Sequence, residues 1–157
     1  MFIPEAWIAV GNCFSLQKEH DQAINFFNRA IKLNPYNPYA YSLCGHEHVY
    51  NEDFPKAKKM FEQAINLDVR HYSAWWGQGN IAYKQEKYDR ACEFFKRAIE
   101  INNKNPVLYS FMGMTLAAKR DFNEALEEFK KSEKYDSKNG LNKFQKANTL
   151  VKLERYD

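Results

Sequence analysis

The residues best equipped for chemistry in this 157-residue chain are His46, Glu47 and His48, three in a row. Imidazole and carboxylate are donors that a zinc ion accepts. On a helix, however, residues two apart diverge by about 200°, whereas a helical metal motif sets its histidines four apart on one face. The triplet therefore predicts no metal centre, and His48 falls at a packing position. Cys13, Cys44 and Cys92 form no Cys-x-x-Cys pair and read as reduced packing residues of an intracellular protein. The sequence has no glycine-rich phosphate loop and no serine nucleophile elbow. Neither catalysis nor a cofactor is expected. What remains is binding chemistry: amide and imidazole donors at Asn12, His46 and Asn80, and a carboxylate acceptor at Glu47.

These donors stand in register. Asn12, His46, Asn80 and Met114 each follow a glycine, and Gly11, Gly45, Gly79 and Gly113 recur every 34 residues. The same period holds for Trp7, Tyr41, Trp75 and Tyr109; for Ala23, Ala57, Ala91 and Ala125; for Phe27, Phe61, Phe95 and Phe129; and for Ala30, Ala64, Ala98 and Ser132. A fixed period of this length signals a stacked array of small structural units. Each unit reads as two amphipathic helices. Trp7, Val10 and Phe14 step by three and four along the first, and Ile24, Phe27, Ala30 and Ile31 do so along the second. Pro4, Pro38 and Pro106 suit a first helical turn, and Asn34-Pro35 ends a helix.

The expected units are 4–37, 38–71, 72–105 and 106–139, one continuous domain, with residues 140–157 as the first helix of a fifth unit. In the fourth, Ser132, Glu133 and Ser137 replace the small, apolar and proline positions, which predicts a weakly anchored second helix. The ninth helix is expected to turn Phe144, Ala147, Leu150 and Val151 inward. Its apolar end lacks the polar cap of a finished array, so the sequence reads as a piece of a longer one.

Composition agrees with a folded, water-exposed array. The chain is 45% apolar, 16% aromatic and 27% charged, which is not a disordered composition. Its net charge of +3 is scattered without a polybasic block, which argues against nucleic acid as a partner. No apolar run nears the roughly 18 residues a membrane span needs, so no membrane association is expected.

The spacing of Trp7, Val10, Gly11, Phe14, Ala23, Phe27, Ala30 and Pro35 resembles the tetratricopeptide repeat. That resemblance implies an all-α, right-handed superhelical solenoid of antiparallel helix pairs, with a concave protein-binding groove lined by the first helices. Strings that the repeat does not require are similar to a narrower family. Pro4-Glu5-Ala6-Trp7, Gly11-Asn12-Cys13-Phe14, Gly45-His46-Glu47, Arg70-His71-Tyr72-Ser73-Ala74-Trp75 and Tyr83-Lys84-Gln85-Glu86-Lys87-Tyr88 resemble the C-terminal array of the large tetratricopeptide (Cdc27-type) subunit of the anaphase-promoting complex. This second resemblance implies a nuclear and cytoplasmic scaffold that supports ubiquitin-ligase activity without ubiquitin chemistry of its own. It also implies partners: the Ile-Arg C-terminal tails of coactivators or core subunits, and neighbouring subunits. Dimerisation is implied for repeats N-terminal to these residues, so this chain alone is expected to be monomeric or weakly associating.

The groove residues expected to read such a tail are Asn12, His46, Asn80 and Glu47, with Trp76 as either a groove wall or an inter-repeat contact and Tyr83 as a further groove candidate; Ile8, Ser15 and Ser42 lie nearby. The competing expectation is a generic adaptor, or an array that only packs against neighbouring subunits and leaves its groove empty.

Overall fold

The computed structural model describes residues 3–156. Among the described residues the regular structure is nine α-helices and no strand: α1 (Pro4–Leu16), α2 (His20–Leu33), α3 (Pro38–Tyr50), α4 (Phe54–Leu67), α5 (Tyr72–Lys84), α6 (Tyr88–Ile101), α7 (Pro106–Ala118), α8 (Phe122–Tyr135) and α9 (Gly140–Tyr156). The odd-numbered helices begin 34 residues apart. None of the helices is long and apolar enough to cross a membrane. The chain divides into two compact units, Met1–Ile81 and Ala82–Asp157.

Local chemistry sets the helix ends. Proline occupies the first turn of α1, α3 and α7, and Asn37 and Asn105 cap the latter two by accepting from Tyr39 N and Val107 N, each at 3.0 Å. Proline fits there because its missing N–H has no intrahelical acceptor. At the far end of the unit, Asn34, Asp68 and Asp136 fold their side chains onto the amide two residues on, at 3.0 to 3.2 Å. These Asx turns end α2, α4 and α8 alike, including α4, where Val69 stands in the place of Pro35.

The turn inside each unit has a signature that the sequence conceals. Lys18, Glu52, Glu86 and Arg120 adopt φ of 58–70°, the left-handed region that ordinarily selects glycine. The amide of the next residue reaches back to close the helix, as in Glu19 N to Phe14 O at 2.9 Å and Asp53 N to His48 O at 2.9 Å. This is the Schellman closure, and here it is made without glycine, at a cost of about 1–2 kcal/mol per turn.

In the first unit, α1 packs on α2, α2 on α3 and α3 on α4. Phe27 and Phe61 are fully buried, and each ring lies against the backbone of a glycine. A Cβ at Gly11 would stand 2.5 Å from Phe27 Cε1, and one at Gly45 would stand 2.7 Å from Phe61 Cε1. Phe61 is closed in from a second side by Gly77, whose added Cβ would meet its Cζ at 2.3 Å. Ala23, Ala30, Ala57 and Ala64 complete these contacts at 0–1% exposure. Two expectations shift. Val10 is 39% exposed, because Trp7 and Phe14 stack instead on Phe26, at 5.6 and 5.2 Å. Ile8 belongs to the core with Ala23 and Phe27 rather than to an open face.

In the second unit, Gly113 receives Phe129 in the same way, at 2.6 Å from an added Cβ. The fourth pair is not weakened by Ser132. That residue is fully buried and donates to the Pro106 carbonyl at 2.9 Å. Ser110, whose oxygen lies 2.8 Å from that of Ser132, donates to Asn142 Oδ1 at 2.8 Å; Asn142 Nδ2 donates to the Phe129 carbonyl at 3.1 Å. Buried polar groups are tolerated when every one is satisfied, and this chain of bonds ties α7, α8 and α9 together.

The face of α9 expected inward is exposed, and the positions it buries are those that α7 buries 34 residues earlier with Leu108 and Thr115. Phe144, Leu150 and Val151 are 65, 42 and 56% exposed and Ala147 is exposed, whereas Asn142 and Thr149 are buried. Asn142 is captured by α7 and α8, and Lys146 pairs with Glu133 at 3.1 Å. Phe144 and Ala147 occupy the positions of Ser110 and Gly113, which on α7 are covered by Ser132 and Phe129 of α8.

The Gly–Phe contact predicts a specific loss of stability. Gly45→Ala places a methyl against a ring that Gly77 prevents from retreating, and it lowers the unfolding free energy by about 1–3 kcal/mol. Urea denaturation of the variant checks it; an unchanged midpoint would show that the ring has room to move.

Candidate functional site

The donors that follow the repeat glycines, Asn12, His46 and Asn80, lie in the first unit on α1, α3 and the part of α5 up to Ile81. One residue is 100° of helix, so a glycine that faces the partner helix turns its successor toward a different surface. Asn12, His46 and Asn80 are all half-buried there.

His46 is the most constrained of the three. Its Nε2 is 2.9 Å from Ser73 Oγ, its ring stands edge-on to Phe61 at 4.9 Å, and Trp76 leans over it at 5.1 Å. Burial pushes its pKa down to about 4, and neighbouring His71 adds to the shift. At neutral pH His46 is therefore an uncharged donor and acceptor. A reciprocal pair lies beside it, with His71 Nε2 2.9 Å from Ser42 Oγ. Ser42 spends its proton on the Tyr39 carbonyl at 3.0 Å. Its oxygen must then accept from His71, which fixes the His71 tautomer with the proton on Nε2. That direction is opposite to the one in which histidine activates a serine nucleophile. Burial lowers the pKa of His71 as well, with Asp68 opposing.

Glu47 is not an open acceptor. It is 4% exposed; Oε1 accepts from Ser15 Oγ, and Oε2 is 2.5 Å from His20 Nδ1. His20 in turn stacks on Tyr50 at 4.7 Å. The carboxylate thus joins α1, the start of α2 and α3, and it helps desolvation push Cys44 up to about 12, which keeps that thiol protonated. His48, also pushed down by burial, lies on another face, where it lines a polar cleft of about 370 Å³ with Asp21, Asn51 and Lys56. The His46-Glu47-His48 triplet is therefore split among three environments, as its 100° steps require.

Of the expected site residues, the fold brings His46 and Trp76 into ring contact and turns Glu47 into an interior cross-link. Asn12 and Asn80 keep their half-buried places on α1 and α5. Tyr83 belongs to the second unit, where its ring meets Tyr88 at 5.8 Å and burial raises its pKa. Sequence reasoning missed His20, His71 and Ser73. A signal existed: His20 and Glu47, His46 and Ser73, and Ser42 and His71 are separated by 27 to 29 residues, one repeat less one or two helical turns. At that separation side chains on neighbouring helices come level.

The depressed histidines make stability fall with acid. A histidine held below its ordinary 6.5 binds its proton more readily in the unfolded chain, so its contribution is complete above pH 6.5 and is lost as pH falls toward 4. For His46 the loss is on the order of 3 kcal/mol. Comparing wild type with His46→Gln by urea denaturation from pH 7.5 to 4.5 isolates it. The variant should show a visibly flatter slope, and identical slopes would place the effect elsewhere.

Two models of the tetratricopeptide repeat match the chain, one over residues 4–37 and one over 45–106. The anaphase-promoting complex subunit 3 of Schizosaccharomyces pombe is 54% identical over 57 residues, covering 36% of this chain and 9% of that protein. Cell division cycle protein 27 homolog A of Arabidopsis thaliana is 54% identical over 55 residues, covering 35% and 8%. The human cell division cycle protein 27 homolog is 72% identical over 32 residues, covering 20% and 4%. The matched stretches thus span less than a tenth of these relatives. Among solved structures, PilF of Pseudomonas aeruginosa superposes with a TM-score of 0.87 at 18% identity, over 98% of this chain and 70% of its own. YrrB, described as a tetratricopeptide protein with an unusual peptide-binding site, gives 0.69 at 26% identity over 94% and 76%. The recurring columns, the helix pairs and these matches agree: the chain belongs to the tetratricopeptide-repeat family, an all-α repeat solenoid similar over about a third of its length to Cdc27-type subunits.

Proposed function

We propose that this chain is a protein-binding scaffold of an anaphase-promoting complex, and that the surface formed by α1, α3 and α5 receives the C-terminal tail of a partner ending in Ile-Arg. The observation that carries the reading is the 54% identity to the fission yeast and Arabidopsis subunits. The donor row supports it. Asn12, His46 and Asn80 offer neutral hydrogen-bond donors to a terminal carboxylate, and the Trp76 face gives an aliphatic side chain an apolar wall. The tail arginine meets a harder requirement, because Glu47 is already bound by Ser15 and His20. An arginine that reaches Glu47 must displace His20; otherwise it finds its acceptor elsewhere. The scaffold itself performs no ubiquitin transfer in this reading, and it supports ligase activity by holding partners in place.

Titration with a peptide ending in Ile-Arg, the same peptide amidated, and the peptide with alanine for arginine tests the reading. The free acid should bind at least tenfold more tightly than either control. Asn12→Ala should weaken it severalfold with an unchanged unfolding midpoint. Glu47→Gln should instead lower stability by on the order of 2–3 kcal/mol, because it breaks a buried cross-link. Equal affinity for all three peptides would overturn tail recognition.

A further inference from the structure

The polar cleft of the first unit departs from the repeat. It opens between α2, the end of α3 and the start of α4, and α3 packs on both of the other helices. His48 lines it at a position where the later units carry Ala82 and Leu116. It is only 9% exposed, yet its ring makes no hydrogen bond or ion pair among the described residues, and neither ring nitrogen is sealed from solvent. A buried imidazole without a partner is costly, and its polar edge opens into the cleft. Burial lowers its pKa, with Asp53 and Asp21 opposing. At neutral pH it is therefore uncharged, with one acceptor nitrogen.

The second unit shows what the same positions can hold. Asp89, Lys119 and Asp121 stand two repeat periods after Asp21, Asn51 and Asp53. There Lys119 Nζ pairs with Asp89 at 2.8 Å and with Asp121 at 3.7 Å, an ammonium between two carboxylates. In the first unit both carboxylates recur and Asn51 replaces the lysine. Its Nδ2 donates to Asp21 Oδ1 at 2.9 Å but brings no charge. Lys56 reaches Asp53 Oδ2 at 3.3 Å with 67% of its side chain exposed, and Asp21 has no ion pair among the described residues.

We propose that this cleft takes the ammonium group of a lysine side chain from a partner protein. An ammonium has three donors, which match Asp21, Asp53 and the acceptor nitrogen of His48. Ile24 gives the methylene arm an apolar wall. Arginine suits the cleft less well. Its planar fork prefers a carboxylate with both oxygens free, and here Asn51 engages one oxygen of Asp21 while Lys56 engages one of Asp53. The cleft shares no residue with the proposed tail surface, so either can fail without the other.

Titration of the whole chain with Nα-acetyl-lysine methylamide, followed by NMR at the His48 ring and the Asn51 side-chain amide, tests the assignment. Both signals should shift to saturation in the millimolar range. The Nε-acetylated and norleucine derivatives should bind at least fivefold more weakly, and the arginine derivative and free n-butylamine more weakly than lysine. Asp21→Asn and His48→Leu, the latter matching Leu116, should each weaken binding severalfold. Asn51→Lys should remove it, because its own ammonium then stands where that of Lys119 stands. Circular dichroism identifies any variant that fails to fold; the comparison of ligands on wild type then decides alone. The proposal is overturned by the absence of a saturating shift, by equal binding of acetylated lysine, by tighter binding of arginine or butylamine, or by undiminished lysine binding in any folded variant.

Discussion

Everything in each unit depends on a ring set against a bare backbone. Phe27 on Gly11, Phe61 on Gly45 and Phe129 on Gly113 bring two helices closer than any side chain at the glycine would allow, and the neighbouring alanines are small because that distance admits nothing larger. The contact also orients the surface. With the glycine facing its partner helix, the next residue is turned by 100°, and Asn12 and His46 take their half-buried places for that reason. Packing distance and the placement of Asn12 and His46 are consequences of one constraint.

Polar capture is the second ordering force. Ser42 with His71, Ser73 with His46, and Glu47 with Ser15 and His20 link the helices of the first unit; Ser110, Ser132 and Asn142 do so in the second. Each such bond adds little net stability, because it replaces bonds to water. Its larger effect is to penalise any other arrangement, since a shifted helix would leave a buried donor or acceptor unpaired. Rings and alanines decide how close the helices come, and the polar pairs decide which faces meet.

The repeat columns, the helix starts and the fold class were legible in the sequence because close packing admits few residue types at the glycine and alanine positions. The left-handed turn residues were not, because Lys18, Glu52, Glu86 and Arg120 stand where glycine is the usual signal, and only the Schellman bonds reveal them. Nor was the exposure of Phe144, Leu150 and Val151: apolar periodicity finds a contact face, and on α9 it marks, at Phe144 and Ala147, positions that α8 covers on α7, while Asn142, Lys146 and Thr149 anchor the helix. Of the site, the row Asn12, His46 and Asn80 followed from the period, whereas the engagement of Glu47 required knowing that His20 begins α2 beside it.

Burial also sets the kind of recognition that the proposed groove would offer. On the α1–α3–α5 face His46 is uncharged at neutral pH, and its Nε2 is already engaged with Ser73; the amides beside it are neutral as well. A carboxylate held by such donors gains charge-assisted hydrogen bonds from the ligand side only. Under the proposed tail recognition the attraction is therefore short-ranged and depends on fit against Trp76 more than on ionic strength. This neutral character follows from which side chains the Gly–Phe contacts and polar pairs leave at the surface.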